Sequence, residues 1–179
     1  MTTFPQAYLS YLVEFHASRD YFECHELLEE YWKEHPGDLL ADTWVGLIQL
    51  AVGLYHERRG NTVGARKMYV QARTRLAEAP LSTLGLESES LLKEISERIQ
   101  RLLQAGGTEY TDMNLNIIND ELKSLCYAAC KERGWEWGAP SPLANASIIY
   151  RHKLRDRSGV IAARLAAFEA KKRERNGSV

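Results

Sequence analysis

The chain has 179 residues, 45% of them apolar and 26% charged, with a formal net charge of −1. These values fit one compact domain that can bury a core, and they exclude a disordered chain or one dominated by non-specific attraction to nucleic acid. The small net charge hides an asymmetry: seven acids against two bases lie between Glu14 and Glu34, and nine bases against three acids between Arg151 and Arg175.

Three cysteines, Cys24, Cys126 and Cys130, form no CxxC pair and no disulfide framework. The start MTTFPQAYLSYLVEF lacks the basic opening of a secretion signal. No run approaches the roughly 18 apolar residues of a membrane span. The expectation is a soluble cytoplasmic protein with no membrane partner.

In chain order, Thr3 and Pro5 suit a helix start, and Tyr8, Leu9, Leu12 and Phe15 follow at helical spacing. Asp20 with Glu23 has the spacing of a capping box and opens a second helix, with Tyr21, Phe22, His25, Leu28 and Trp32 expected on its inner face. HPGD stops it, and Asp38 is expected to cap a third helix, LLADTWVGLIQLAVGLYHERR, apolar enough to be the central one. Arg58 and Arg59 suit its carbonyl end and Gly60 its stop. Asn61 caps a fourth helix to about Leu76, and a fifth runs from Ser88 to Ala105.

The stretch from Tyr55 to Pro80 has spacings similar to a tetratricopeptide repeat, but no second copy follows, so it reads as one helical hairpin. Small residues at Ala65 and Ala72 would let its helices approach closely.

Beyond AGGTEY, YTDMNLNI reads as extended, Asn119 or Asp120 starts a helix to Arg133, and GWEWGAP reads as a turn or short strand. PLANASIIYRHKLR and GVIAARLAAFEAKKRER are further helical stretches. The expected architecture is all-α: a compact bundle of about five helices over residues 3–105, within a core of residues 1–105. Residues 106–179 form a small helical and extended extension packed on that core, with a basic final helix.

FHASRDYFECHELLEEYW and WVGLIQLAVGLYHERRGNTVGARKMY together resemble a family of small helical bacterial and archaeal proteins, domain-of-unknown-function family 309. The likeness covers roughly residues 8 to 76 and rests on the HE.LEE.W helix combined with the GLIQLAV.L.H.RRGN..GA hairpin. The tail from Met113 is similar to the extension of members from Bacillus-type bacteria. The resemblance implies a helical bundle and no activity, so function must be argued from side chains.

His25 and Glu29, four apart, project from nearly one helix face, and Gln49 and His56 share a face of the third helix. If the two faces meet, polar groups converge inside a bundle. In one reading His25, Glu29 and His56 hold a divalent metal (zinc, manganese or iron), with Glu26 or water completing the set. In a second, Trp32, Trp44 and Tyr55 line a ligand pocket anchored by His25, Glu29, Gln49 and His56. In a third, His25 is a buried histidine whose bond to Glu29 or Gln49 fixes helix register.

The leading expectation is a binding or scaffold protein that uses this site. The enzyme alternative is a metal-dependent hydrolase with Glu26 or Glu29 as general base. HELLE matches the zinc-protease HExxH only in part, because Glu29 stands at the second histidine. The chain has no ExxH, phosphate-cradling glycine loop or GxSxG elbow. Cys24 reads as an inert core thiol. Cys126 and Cys130 read as packing residues, with a metal site including His152 as the alternative. The basic tract with Arg151, Lys153, Arg155 and Arg157 suggests a nucleic-acid alternative, and a homodimer pairing acidic and basic ends fits as well as a monomer.

Overall fold

The computed structural model describes residues 4–106, 109–154 and 158–176. The protein is all-α; among the described residues the extended pairing is limited to one antiparallel bridge, Leu86 to Ile117. Two compact units divide the chain, Met1–Ile149 and Tyr150–Val179.

In the first unit, α1 (Gln6–Val13) starts where the Pro5 carbonyl accepts from the amides of Tyr8 and Leu9 at 3.0 and 3.1 Å. Its Tyr8, Tyr11, Leu12 and Val13 are fully buried. The helix then widens into a π-type turn, Glu14–Ser18, closed when the Arg19 amide donates to the Glu14 carbonyl at 2.8 Å. Arg19 ends the turn in the left-handed region, φ 58°, a conformation that costs a non-glycine residue about 1–3 kcal/mol unless its surroundings hold it there. Its side chain supplies the hold, donating to the carbonyls of Ala139, Phe15 and Met113 and to Asn114 Oδ1.

The expected cap at Asp20 is present: its Oδ1 accepts from the Glu23 amide at 3.0 Å and opens α2 (Tyr21–Glu34). The buried face of α2 is Tyr21, Cys24 and Leu28. His25 and Trp32, expected on the inner face, lie instead at its margin, and Trp32 is 37% exposed. α3 (Ala41–Arg58) is the central helix, with apolar residues buried along its length. Asp38 stands outside it; Leu40 occupies the cap position, and Asp38 accepts from the Leu40 amide at 2.9 Å and from Trp44 Nε1 at 2.8 Å.

Asn61 caps α4 (Thr62–Ala77) through the Gly64 amide, completing the expected hairpin. Ala65 and Ala72 are fully buried, as close approach requires, and on α3 Gly46 faces Leu76 and Gly53 faces Tyr69. A Cβ at Gly53 would stand 2.6 Å from the Tyr69 ring. Tyr69 in turn donates a short bond to Glu57, which also pairs with the fully buried Arg98 at 3.0 Å. Arg98 belongs to α5 (Ser88–Leu102), which stops short of the expected Ala105.

Residues 109–118 run extended, with Met113, Leu115 and Ile117 buried in the same core and the residues between them outward. This segment is tied to the front of the chain by His16, whose Nδ1 donates to the Leu12 carbonyl at 2.7 Å. His16 Nε2 accepts from the Leu115 amide at 2.9 Å, and the ring stacks on Trp137 at 4.2 Å. Asn119 caps α6 (Asp120–Glu132), which adds Leu122, Cys126 and Cys130 to the core, and α7 (Ala146–Ile149) closes the unit. Cys24, Cys126 and Cys130 are all free and buried.

The second unit carries α8 (Arg151–Leu154) and α9 (Ser158–Asn176), whose residues 161–175 are exposed. No helix among the described residues is long and apolar enough to cross a membrane.

Candidate functional site

The turn at Arg19 and the cap at Asp20 fix where α2 begins, and its core face of Tyr21, Cys24 and Leu28 sets its rotation. That rotation leaves His25 and Glu29 side by side at the edge of the buried face, one turn apart. His25 Nε2 lies 2.9 Å from Glu29 Oε2, and His25 Nδ1 lies 3.4 Å from Glu26 Oε1. One ligand atom from each of the three residues falls within 4.8 Å of the others. All three are partly exposed, so the cluster is open to solvent. The other Glu29 oxygen accepts from Lys33 Nζ at 2.8 Å. That bond, and secondarily the neighbouring His25, hold the Glu29 carboxyl below its usual range, outweighing partial burial. An open groove beside the cluster is lined by Glu26, Glu29, Glu30, Lys33 and Glu34.

The remaining expected site residues lie elsewhere. Gln49 faces α4: its Nε2 donates to Gln71 at 2.9 Å, and its Oε1 accepts from Arg75 at 3.2 Å. Trp44 is fully buried in the core against Tyr8 and Tyr31, its indole N–H held by Asp38. His56 Nδ1 accepts from Arg59 Nη2 at 2.8 Å and from Asn61 Nδ2 at 3.2 Å. As an acceptor at Nδ1, the ring carries its proton on Nε2 and is neutral. Burial and then the Arg59 charge lower its pKa.

Between His25 and His56 runs a file of rings. Phe22 meets His25 at 5.6 Å, Tyr55 meets Phe22 at 5.8 Å, and His56 meets Tyr55 at 6.4 Å. The pocket expected between the second and third helices is therefore filled by aromatic packing, and His56 is absent from the ligand cluster. The physical reason is side-chain volume: Phe22 and Tyr55 occupy the contact that the two polar faces would need.

Sequence reasoning passed over Lys33, although its place four residues after Glu29 is the ordinary helical ion-pair spacing. Arg151 and Lys153 lie on α8, the first half-buried and the second exposed, and Arg155 and Arg157 lie outside the described residues.

Comparison with known proteins gives two matches. The family model described as "Domain of unknown function (DUF309)" matches residues 8–68. The chain is similar to the uncharacterized protein YpuF of Bacillus subtilis (strain 168), with 43% identity over 176 residues, covering 97% of this chain and 99% of that protein. No solved structure matches the chain.

Proposed function

The chain belongs to the DUF309 family, whose description assigns no activity, and from that premise we propose that it is a binding protein that takes a divalent metal at His25, Glu26 and Glu29. The observation that carries this reading is the convergence of one imidazole nitrogen and two carboxylate oxygens within 4.8 Å on an open helix edge. One nitrogen and two oxygens suit zinc, manganese or iron.

Ligand bonds of about 2.0–2.2 Å at tetrahedral angles put donor atoms about 3.4 Å apart. The 2.9 Å His25–Glu29 contact must therefore open by about half an ångström, which side-chain rotation supplies. The metal competes with protons for the same nitrogen and oxygen lone pairs, so binding weakens in acid. It also competes with Lys33 for Glu29.

Calorimetric titration of the untagged protein with zinc, manganese or ferrous ion tests this. The expected result is one ion per chain, with affinity at least about tenfold lower in His25→Ala and Glu29→Gln and higher in Lys33→Gln. A wild-type chain that takes up none of the three ions, or a His25→Ala variant that binds as tightly, overturns the reading.

Divalent-metal-dependent hydrolysis is a second reading. It is favoured by the solvent access of a cluster whose residues all come from one helix, which leaves the other coordination positions to water. In this reading His25 and Glu29 would hold the ion, and Glu26, the most exposed of the three, would stay off it and serve as general base. Turnover of phosphate or carboxylic esters by the metal-loaded protein, lost in Glu26→Gln with metal retained, separates catalysis from binding alone.

A further inference from the structure

The carbonyl end of α3 carries a second polar centre. Arg58, in the last turn, is only 8% exposed. Its Nη1 donates to the Arg19 carbonyl at 2.7 Å and to Ser141 Oγ at 3.1 Å. The guanidinium carbon lies 4.5 Å above the Tyr21 ring. One contact sets the direction of the group and the other sets its plane, so the guanidinium is held rigidly. Nε and Nη2 are both buried without a hydrogen-bond partner.

These two nitrogens are not an arbitrary pair. They form the side-on edge of the guanidinium, whose parallel N–H bonds match two oxygens of a carboxylate or phosphate. A buried, charged donor pair without an acceptor is strongly unfavourable, whereas a fixed one is pre-organised for an anion. Carboxylates of the same core have other partners. Asp112 accepts from Tyr110 and from the Ser141 amide and hydroxyl. Glu57 accepts from Tyr69 and Arg98.

We propose that the Nε–Nη2 edge of Arg58 binds a small oxyanion, a phosphate or carboxylate group presenting two oxygens side by side. Among the groups that hold the guanidinium, Arg19 and Tyr21 are closed off and Ser141 is partly exposed, so the anion arrives on the Ser141 side. The site is separate from the histidine–carboxylate cluster, and its test needs no added metal.

The experiment is side-chain NMR on the full chain, following the arginine Nε–H resonances as phosphate, acetate or chloride is added at constant ionic strength. The Arg58 resonance, assigned through bonds in the wild-type protein, shifts saturably with phosphate or with acetate, and which of the two acts identifies the source of the oxygens. Chloride leaves it in place. Arg58→Lys keeps the charge but removes the side-on edge, and it weakens the anion-dependent rise in melting temperature at least about tenfold in apparent affinity. Where that variant does not fold, the wild-type resonance alone decides. An Arg58 signal indifferent to both oxyanions, an equal response to chloride, or a crystal grown in phosphate with only ordered water at Nε and Nη2 overturns the proposal.

Discussion

A buried imidazole that makes both of its hydrogen bonds as a neutral ring resists a second proton. His16 is in that position: with Nδ1–H given to Leu12 and Nε2 accepting from Leu115, protonation would set an N–H against an amide N–H. Burial, reinforced by the Arg19 charge, lowers its pKa to about 4 despite the opposing bond to Leu12. The unfolded chain takes up that proton near the ordinary value of about 6.5, so acid favours unfolding throughout the interval between the two values. The stabilisation is complete above pH 6.5, falls as pH drops to about 4, and is level below that, a total of about 3 kcal/mol. Urea unfolding at pH 7, 5.5 and 4 measures it, and His16→Phe flattens the dependence in this window. Nothing in the sequence separates His16 from His25: each is a histidine in an amphipathic stretch. What distinguishes them is Leu115, 99 residues away, which no local pattern reveals.

At the scale of elements, the hairpin of α3 and α4 was legible because its signals are local. The Asn61 cap, the Gly60 stop and the buried alanines at 65 and 72 each act within a few residues. The complementary glycines of α3 were not legible, since GLIQLAVG reads as a generic apolar run until Tyr69 and Leu76 are set against it. Gly53→Ala should therefore destabilise the protein by about 1–3 kcal/mol, the cost of overpacking exceeding the roughly 1 kcal/mol of helix propensity that alanine adds. Chemical denaturation checks the sign, and an unchanged midpoint would mean that the Tyr69 ring can move aside. The candidate site was half legible for the same reason. His25 and Glu29 meet through spacing within one helix, whereas joining them to Gln49 and His56 required knowing which side chains fill the space between helices. Phe22 and Tyr55 fill it.

Across the first unit, the core draws on α1 through α6 and on the extended segment between α5 and α6, so its parts are stabilised together. The all-helical class followed from the sequence. The buried arginine joints did not, because Arg19 and Arg98 are indistinguishable in sequence from surface residues until their partners come into place. This arrangement also determines how the three thiols behave. Burial raises the pKa of each: Cys24 well above the ordinary thiol value, Cys126 to about 12, and Cys130 in the same direction. A thiol both screened from solvent and kept protonated cannot attack an alkylating reagent until the structure around it opens. The three sulfurs therefore act as a built-in chemical clock. In native buffer, iodoacetamide should label them only at the frequency of opening events, with the rate climbing in step with added urea. Prompt labelling of any one of them in the folded protein would reveal a local route of entry at that helix.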